Sequence, residues 1–118
     1  MSNANEGDMR YELVKVEAFT IFGAPKLDPI TVMTQDFGDG RGRLVIECYC
    51  EAWAIYWGAM GDDTVSEFVC DCSASYVRDK LMGQYQSRAG HFRDYTLRIV
   101  EAVQKAFRER RQNAAVRA

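Results

Sequence analysis

Between Cys48 and Cys72 the chain reads CYCEAWAIYWGAMGDDTVSEFVCDC, an apolar and aromatic middle with a Cys-x-Cys pair at each end. How this middle folds decides the architecture. In Glu51–Met60 the apolar residues recur at spacings of three and four. Trp53, Tyr56, Trp57 and Met60 fall on one side and Ala52, Ile55 and Ala59 near the other, which predicts a helix buried almost all round. Gly61 ends it. Thr64-Val-Ser-Glu67 then has the form of a capping box, in which the threonine oxygen accepts from the amide at Glu67 and the glutamate reaches back. The helix that starts there turns Val65, Phe68, Val69 and Cys72 inward. Another follows from about Ser73 to Met82 with Tyr76, Val77 and Leu81, closed by Gly83.

Upstream, RYELVKVEAFTIF (Arg10 to Phe22) alternates apolar and polar residues with two phase slips, the mark of a long strand with bulges or bends. GAPKLDP is a connection and ITVMTQ a second strand. A glycine-rich turn, Asp36 to Arg43, leads into RLVIECYC, which places Leu44, Ile46, Cys48 and Cys50 on one face and Val45, Glu47 and Tyr49 on the other. Downstream, Phe92, Tyr95, Ile99, Val103 and Phe107 form one stripe from about Gly90, widened by Ala102 and Ala106; RERRQNAAVRA beyond it is a charged end expected to fray. The expected fold is therefore α+β: an antiparallel three-stranded sheet followed by three or four helices packed on one face.

A chain of 118 residues holds one core and is short for two. We expect a flexible leader over residues 1–8, a single domain over 9–112 and a flexible tail over 113–118, with Met9 as a natural start. Hydrophobic residues make up 47% and charged ones 27%, the usage of soluble globular proteins, with no apolar run that spans a bilayer. The polar opening MSNANEGD lacks the basic start and apolar centre of a secretory signal, which points to the cytoplasm and to reduced thiols.

The four cysteines invite a zinc reading, but the spacing argues for packing. Cys48 and Cys50 on a strand lie about 6.6 Å apart, too far for a tight thiolate pair without leaving the extended backbone. On a helix Cys70 and Cys72 point about 200° apart, so Cys72 joins the core and Cys70 looks elsewhere. We therefore expect packed thiols, with a small zinc-binding protein as an alternative. His91 with Asp94 is the one acid–base pair available, and no nucleophile motif accompanies it. Asp62 and Asp63 suit a helix start. The Asp36 to Arg43 loop lacks the ligand series of a calcium loop and the Gly-Lys-Ser/Thr of a phosphate loop. No catalytic residue, cofactor or metal is expected.

The segments Tyr56-Trp-Gly-Ala-Met-Gly61 and Thr64-Val-Ser-Glu-Phe68, together with the strand that delivers Cys48 and the Cys70-Asp71 step before Tyr76, resemble small proteins encoded by bacteriophages and prophages of enteric and related bacteria. The resemblance implies a setting in the bacterial cytoplasm and offers no family activity or catalytic residues to carry over. It also implies action by binding a host bacterial protein, components of CRISPR–Cas and other defences among them. Two exposed regions remain once the core is assigned. The turn carrying Asp36, Asp39, Arg41 and Arg43 is favoured as the protein contact; the basic helix end with Arg108, Arg110 and Arg111 suits a salt-sensitive partner, nucleic acid being the alternative.

Overall fold

The computed structural model describes residues 7–83 and 90–117. The expected leader lies mostly outside them. Four strands, β1 (Glu17–Ile21), β2 (Ile30–Gly38), β3 (Arg41–Cys48) and β4 (Glu51–Trp57), precede three helices, α1 (Val65–Asp71), α2 (Ala74–Met82) and α3 (Gly90–Arg117). The strands form one antiparallel meander in the order β1-β2-β3-β4. The α+β class is as expected from the sequence, with one strand more.

That extra strand corrects the reading of the central stretch. Glu51–Trp57 is β4, because Trp53, Ile55 and Trp57 alternate strictly inward while Ala52, Ala54 and Tyr56 face out. The same aromatic residues also satisfy helical spacings, so periodicity alone could not decide. Two physical facts do. Aromatic and β-branched residues fit a pleated surface, and Tyr49 and Cys50, with φ of 50° and 67°, form a two-residue turn between β3 and β4. Positive φ at both central positions matches the twist of a hairpin, but neither residue is the glycine or asparagine that announces such a turn. Cys50, expected inward, is consequently exposed at the hairpin tip.

The first strand is also shorter than its alternation suggested. Only Glu17–Ile21 pairs with β2, and residues 8–16 run outside any strand. β2 itself runs on to Gly38, and past Thr34 it pairs with β3 alone, with an irregularity in that pairing between Asp36 and Gly38.

One face of the sheet carries the core. Ile30 and Val32 of β2, Leu44, Ile46 and Cys48 of β3, and Trp53, Ile55 and Trp57 of β4 meet Val65 and Val69 of α1, Val77 and Leu81 of α2, and Ile99, Val100, Val103 and Phe107 of α3. Specific contacts fix the layers. Trp57 packs edge-on against Phe68 at 5.4 Å between ring centroids, and its indole N–H donates to the Tyr76 hydroxyl at 3.1 Å. The Tyr95 hydroxyl reaches Cys48 Sγ at 3.4 Å; burial first, and this contact next, push the phenol up from its ordinary value. The last helix continues past the end of its apolar stripe at Phe107 to Arg117.

Truncating Trp57 to alanine removes the side chain that joins β4 to both short helices. We expect a loss of about 3–5 kcal/mol of stability, read from urea unfolding curves. In contrast, replacing Tyr49-Cys50 by Asn-Gly should raise the unfolding midpoint, since side chains at positive φ cost roughly 1–2 kcal/mol each.

Candidate partner surface

The turn between β2 and β3 is built by Asp39 and Gly40, with φ of 56° and 73°. It is less free than an exposed tip. The Gly40 carbonyl accepts from the Met60 amide at 2.8 Å, and a Cβ at Gly40 would lie 2.7 Å from the Gly61 carbonyl oxygen. A Cβ at Gly42 would meet a Val65 methyl at 2.4 Å. Only glycine lets the loop after β4 and the start of α1 lie this close to the hairpin.

Asp36 belongs to the same joint. Its Oδ1 accepts from the Val65 amide at 2.7 Å, so this carboxylate helps cap α1 from a strand 29 residues away. The expected capping box is present beside it. Thr64 Oγ1 accepts from the Glu67 amide, and the Glu67 carboxylate accepts from the Thr64 amide at 2.8 Å. The bond from the Thr64 backbone, then that from its side chain, with a smaller contribution from the charge of Arg111, hold Glu67 below the usual carboxylate range. A lowered folded value stabilises above the unfolded one and is lost as pH falls through the lowered value.

The other end of α1 is capped by α3. Gln104, 4% exposed, donates to the carbonyls of Val69 at 3.0 Å and Cys72 at 2.8 Å, and Arg108 donates to the Cys70 carbonyl at 3.3 Å. Arg108, expected as a partner contact, is thus engaged with the fold. Arg110 lies over the Phe19 ring at 4.5 Å and 3.9 Å from Glu17, tying α3 to β1. Arg111 is exposed, and its charge reaches Glu67 and Cys70.

Asp36, Asp39, Arg41 and Arg43 of the turn are all exposed, Asp36 with one carboxylate oxygen on the start of α1. Arg43 has company the sequence did not reveal. Gln35, Arg43 and Tyr56 stand in one cross-strand row on the face of the sheet away from the helices, and Phe37, at the irregularity in β2, joins them. The Arg43 guanidinium lies over the Phe37 ring at 5.4 Å and 3.4 Å from Gln35 Oε1; the Phe37 and Tyr56 rings are 6.3 Å apart. Tyr56 is 53% exposed. The turn meets the start of α1, while the end of α3 caps the other end of that helix and brings the charge of Arg111 to Glu67.

The cysteines do not converge. Cys48 sits in the core, Cys50 at a hairpin tip, and Cys70 rather than Cys72 is the more buried of the α1 pair. That reverses the helical-wheel expectation, because Cys72 is the C-cap with extended backbone and no longer follows the helix. Burial first pushes both thiols above their ordinary value. Among the described residues no group of three or more His, Cys, Asp or Glu is placed to hold a metal ion, and no helix is long and apolar enough to cross a membrane. The His91 side chain lies outside the described part of the structure.

Residues 9–115 match the model of a phage protein family, Phage_phiTE_072, and the chain belongs to that family. Comparison with curated proteins and with solved structures gives no match.

Two outcomes test this construction. Gln104→Leu strands buried carbonyls, so we expect a loss of about 2–4 kcal/mol in chemical denaturation, near the cost of one or two unsatisfied buried acceptors. Under native conditions at neutral pH, one thiol per chain, Cys50, should react fast with a maleimide, with Cys70 and Cys72 lagging; peptide mapping identifies the site.

Proposed function

We propose that this phage protein acts without catalysis, by gripping a host bacterial protein with the Arg41–Arg43 end of its open sheet face. The observation that carries this reading is the Arg43–Phe37–Tyr56 cluster. It combines an arginine and a half-exposed tyrosine, two of the residue types that dominate binding hot spots. Arg43 is held by a ring and an amide before any partner arrives, which lowers the ordering cost of binding. The rigid hairpin beneath keeps Arg41 and Asp39 in a fixed relation to it. A guanidinium presented in this way suits paired hydrogen bonds to carboxylates, so the partner surface is acidic. Components of bacterial defence systems, CRISPR–Cas among them, are the first host proteins to test, by analogy with other small phage proteins.

The second reading, nucleic-acid binding by the basic end of α3, rests on Arg111 and on those arginines that the fold leaves available. The two are separable. Affinity capture from host cells with the Arg41→Ala, Arg43→Ala double variant should lose the partner about tenfold or more, with circular dichroism unchanged. Arg110→Ala with Arg111→Ala should have a smaller effect. Capture that survives the hairpin variant and fails in the helix variant would sink the proposal, and a retained nucleic acid released steeply by salt would put the second reading in its place.

A further inference from the structure

We infer that the segment Met9–Val16 is an exchange arm, and that its partner is a second copy of this chain, docked across the free edge of β1. The inference is independent of the arginine surface. Met9, Tyr11, Leu13, Val14 and Val16 are between 47% and 105% exposed, an apolar run left in water just before an edge strand. β1 itself is incomplete. Phe19 and Ile21 face the core but are only half-buried, whereas Ile30 and Val32, their neighbours on β2, are 0% exposed. An uncovered edge strand with unpaired backbone groups is a site for strand addition.

Beside that edge lies a groove of about 410 Å³ between α3 and the β1–β2 connection. Ile21, Phe22, Leu27, Ala102 and Ala106 line it, and Phe22 stands 75% exposed at its mouth. The groove flanks α3 from Arg98 to Glu109, about 16 Å at 1.5 Å per residue. Five extended residues cover the same distance, at about 3.3 Å each.

Symmetry selects the occupant. If two β1 strands pair antiparallel about a two-fold axis at Phe19, the second copy's Glu17 stands opposite Ile21 and its Val16 comes next to Phe22, where β1 ends. The pairing thus points the arm of each copy past Phe22 toward the groove of the other, in both directions at once. One pair of charges is complementary in sign. α3 runs antiparallel to β1, since Arg110 lies near Glu17 and the Arg98 to Ala102 end near Phe22 to Leu27. On the incoming arm Lys15 shares the face of Glu17, Phe19 and Ile21 and so comes toward Glu101, opposite in sign, while Glu12 falls on the other face. Six exposed apolar side chains per copy, Phe22 included, supply an interface of roughly the 1,000 Å² or more that a specific dimer requires.

The test is sedimentation equilibrium of the full chain from about 1 to 100 µM, with hydrogen exchange at both ends of that range. The expected result is a dimer in which amides of residues 11–21 are protected at high concentration and lose protection on dilution. Leu13→Asp with Val16→Asp, and separately Ala102→Arg in the groove, should each weaken dimerisation at least tenfold. The arm variant should keep its helical circular dichroism, because residues 9–16 contribute nothing to the core. A wild-type monomer at 100 µM would overturn the inference. So would a dimer indifferent to the arm variant, or arm protection independent of concentration, which would mean that the arm folds onto its own chain.

Discussion

The helical layer begins on the sheet at one close joint, the seating of Val65 over Gly42. The side chain fills the space a Cβ at residue 42 would take, and the amide of the same residue donates to Asp36. Apolar packing and backbone satisfaction are thereby met by one residue, 0% exposed, at the first position of α1. A helix of seven residues has no stability of its own in water. It exists here because its N-terminal amides find Thr64 and Asp36, its C-terminal carbonyls find Gln104 and Arg108, and its inward face finds the sheet. Move Val65 by an ångström and the Asp36 bond, the Gly40–Met60 bond and the path of the chain after β4 all change with it.

This joint also explains why the hairpin can serve as a recognition element. A turn tied only to its own strands would fray, and each arginine on it would have to be ordered on binding. Clamped from behind by Met60, Gly61 and Val65, the hairpin presents the opposite face as a fixed surface. The irregularity between Asp36 and Gly38 divides the labour. Asp36 serves α1 on one side of the sheet, and Phe37 supports Arg43 on the other.

What could be read from the sequence follows the range of the interactions. The Thr64–Glu67 capping box, the helix begun by Ser73, the stripe of α3 and the Asp39-Gly40 turn are local, and their residues announce them. The strand at Glu51–Trp57 was hidden because Trp53, Tyr56 and Trp57 satisfy both periods and the preceding turn uses tyrosine and cysteine. For the candidate surface, Arg41, Arg43 and Asp39 were legible as exposed, while Tyr56 and Phe37 were not, since their meeting depends on register across three strands. Asp36 and Arg108 are surface charges, as they looked, yet each also bonds the backbone of α1, through partners 29 and 38 residues away. Gln104 did leave a trace: it interrupts an apolar face between Val103 and Phe107, and a lone amide in that position needs buried acceptors.

The two-ended capping of α1 sets an order of assembly. The meander is made of neighbouring hairpins whose contacts are close in sequence, and such structure forms early. Residues 65–71 emerge from the ribosome soon after it, yet the side chains that satisfy their carbonyls, Gln104 and Arg108, are translated more than thirty residues later. Until then the nascent sheet holds an apolar face with no lid. The sheet can therefore be complete while the domain is still open, and docking of α3 is the step that closes α1 and the core together.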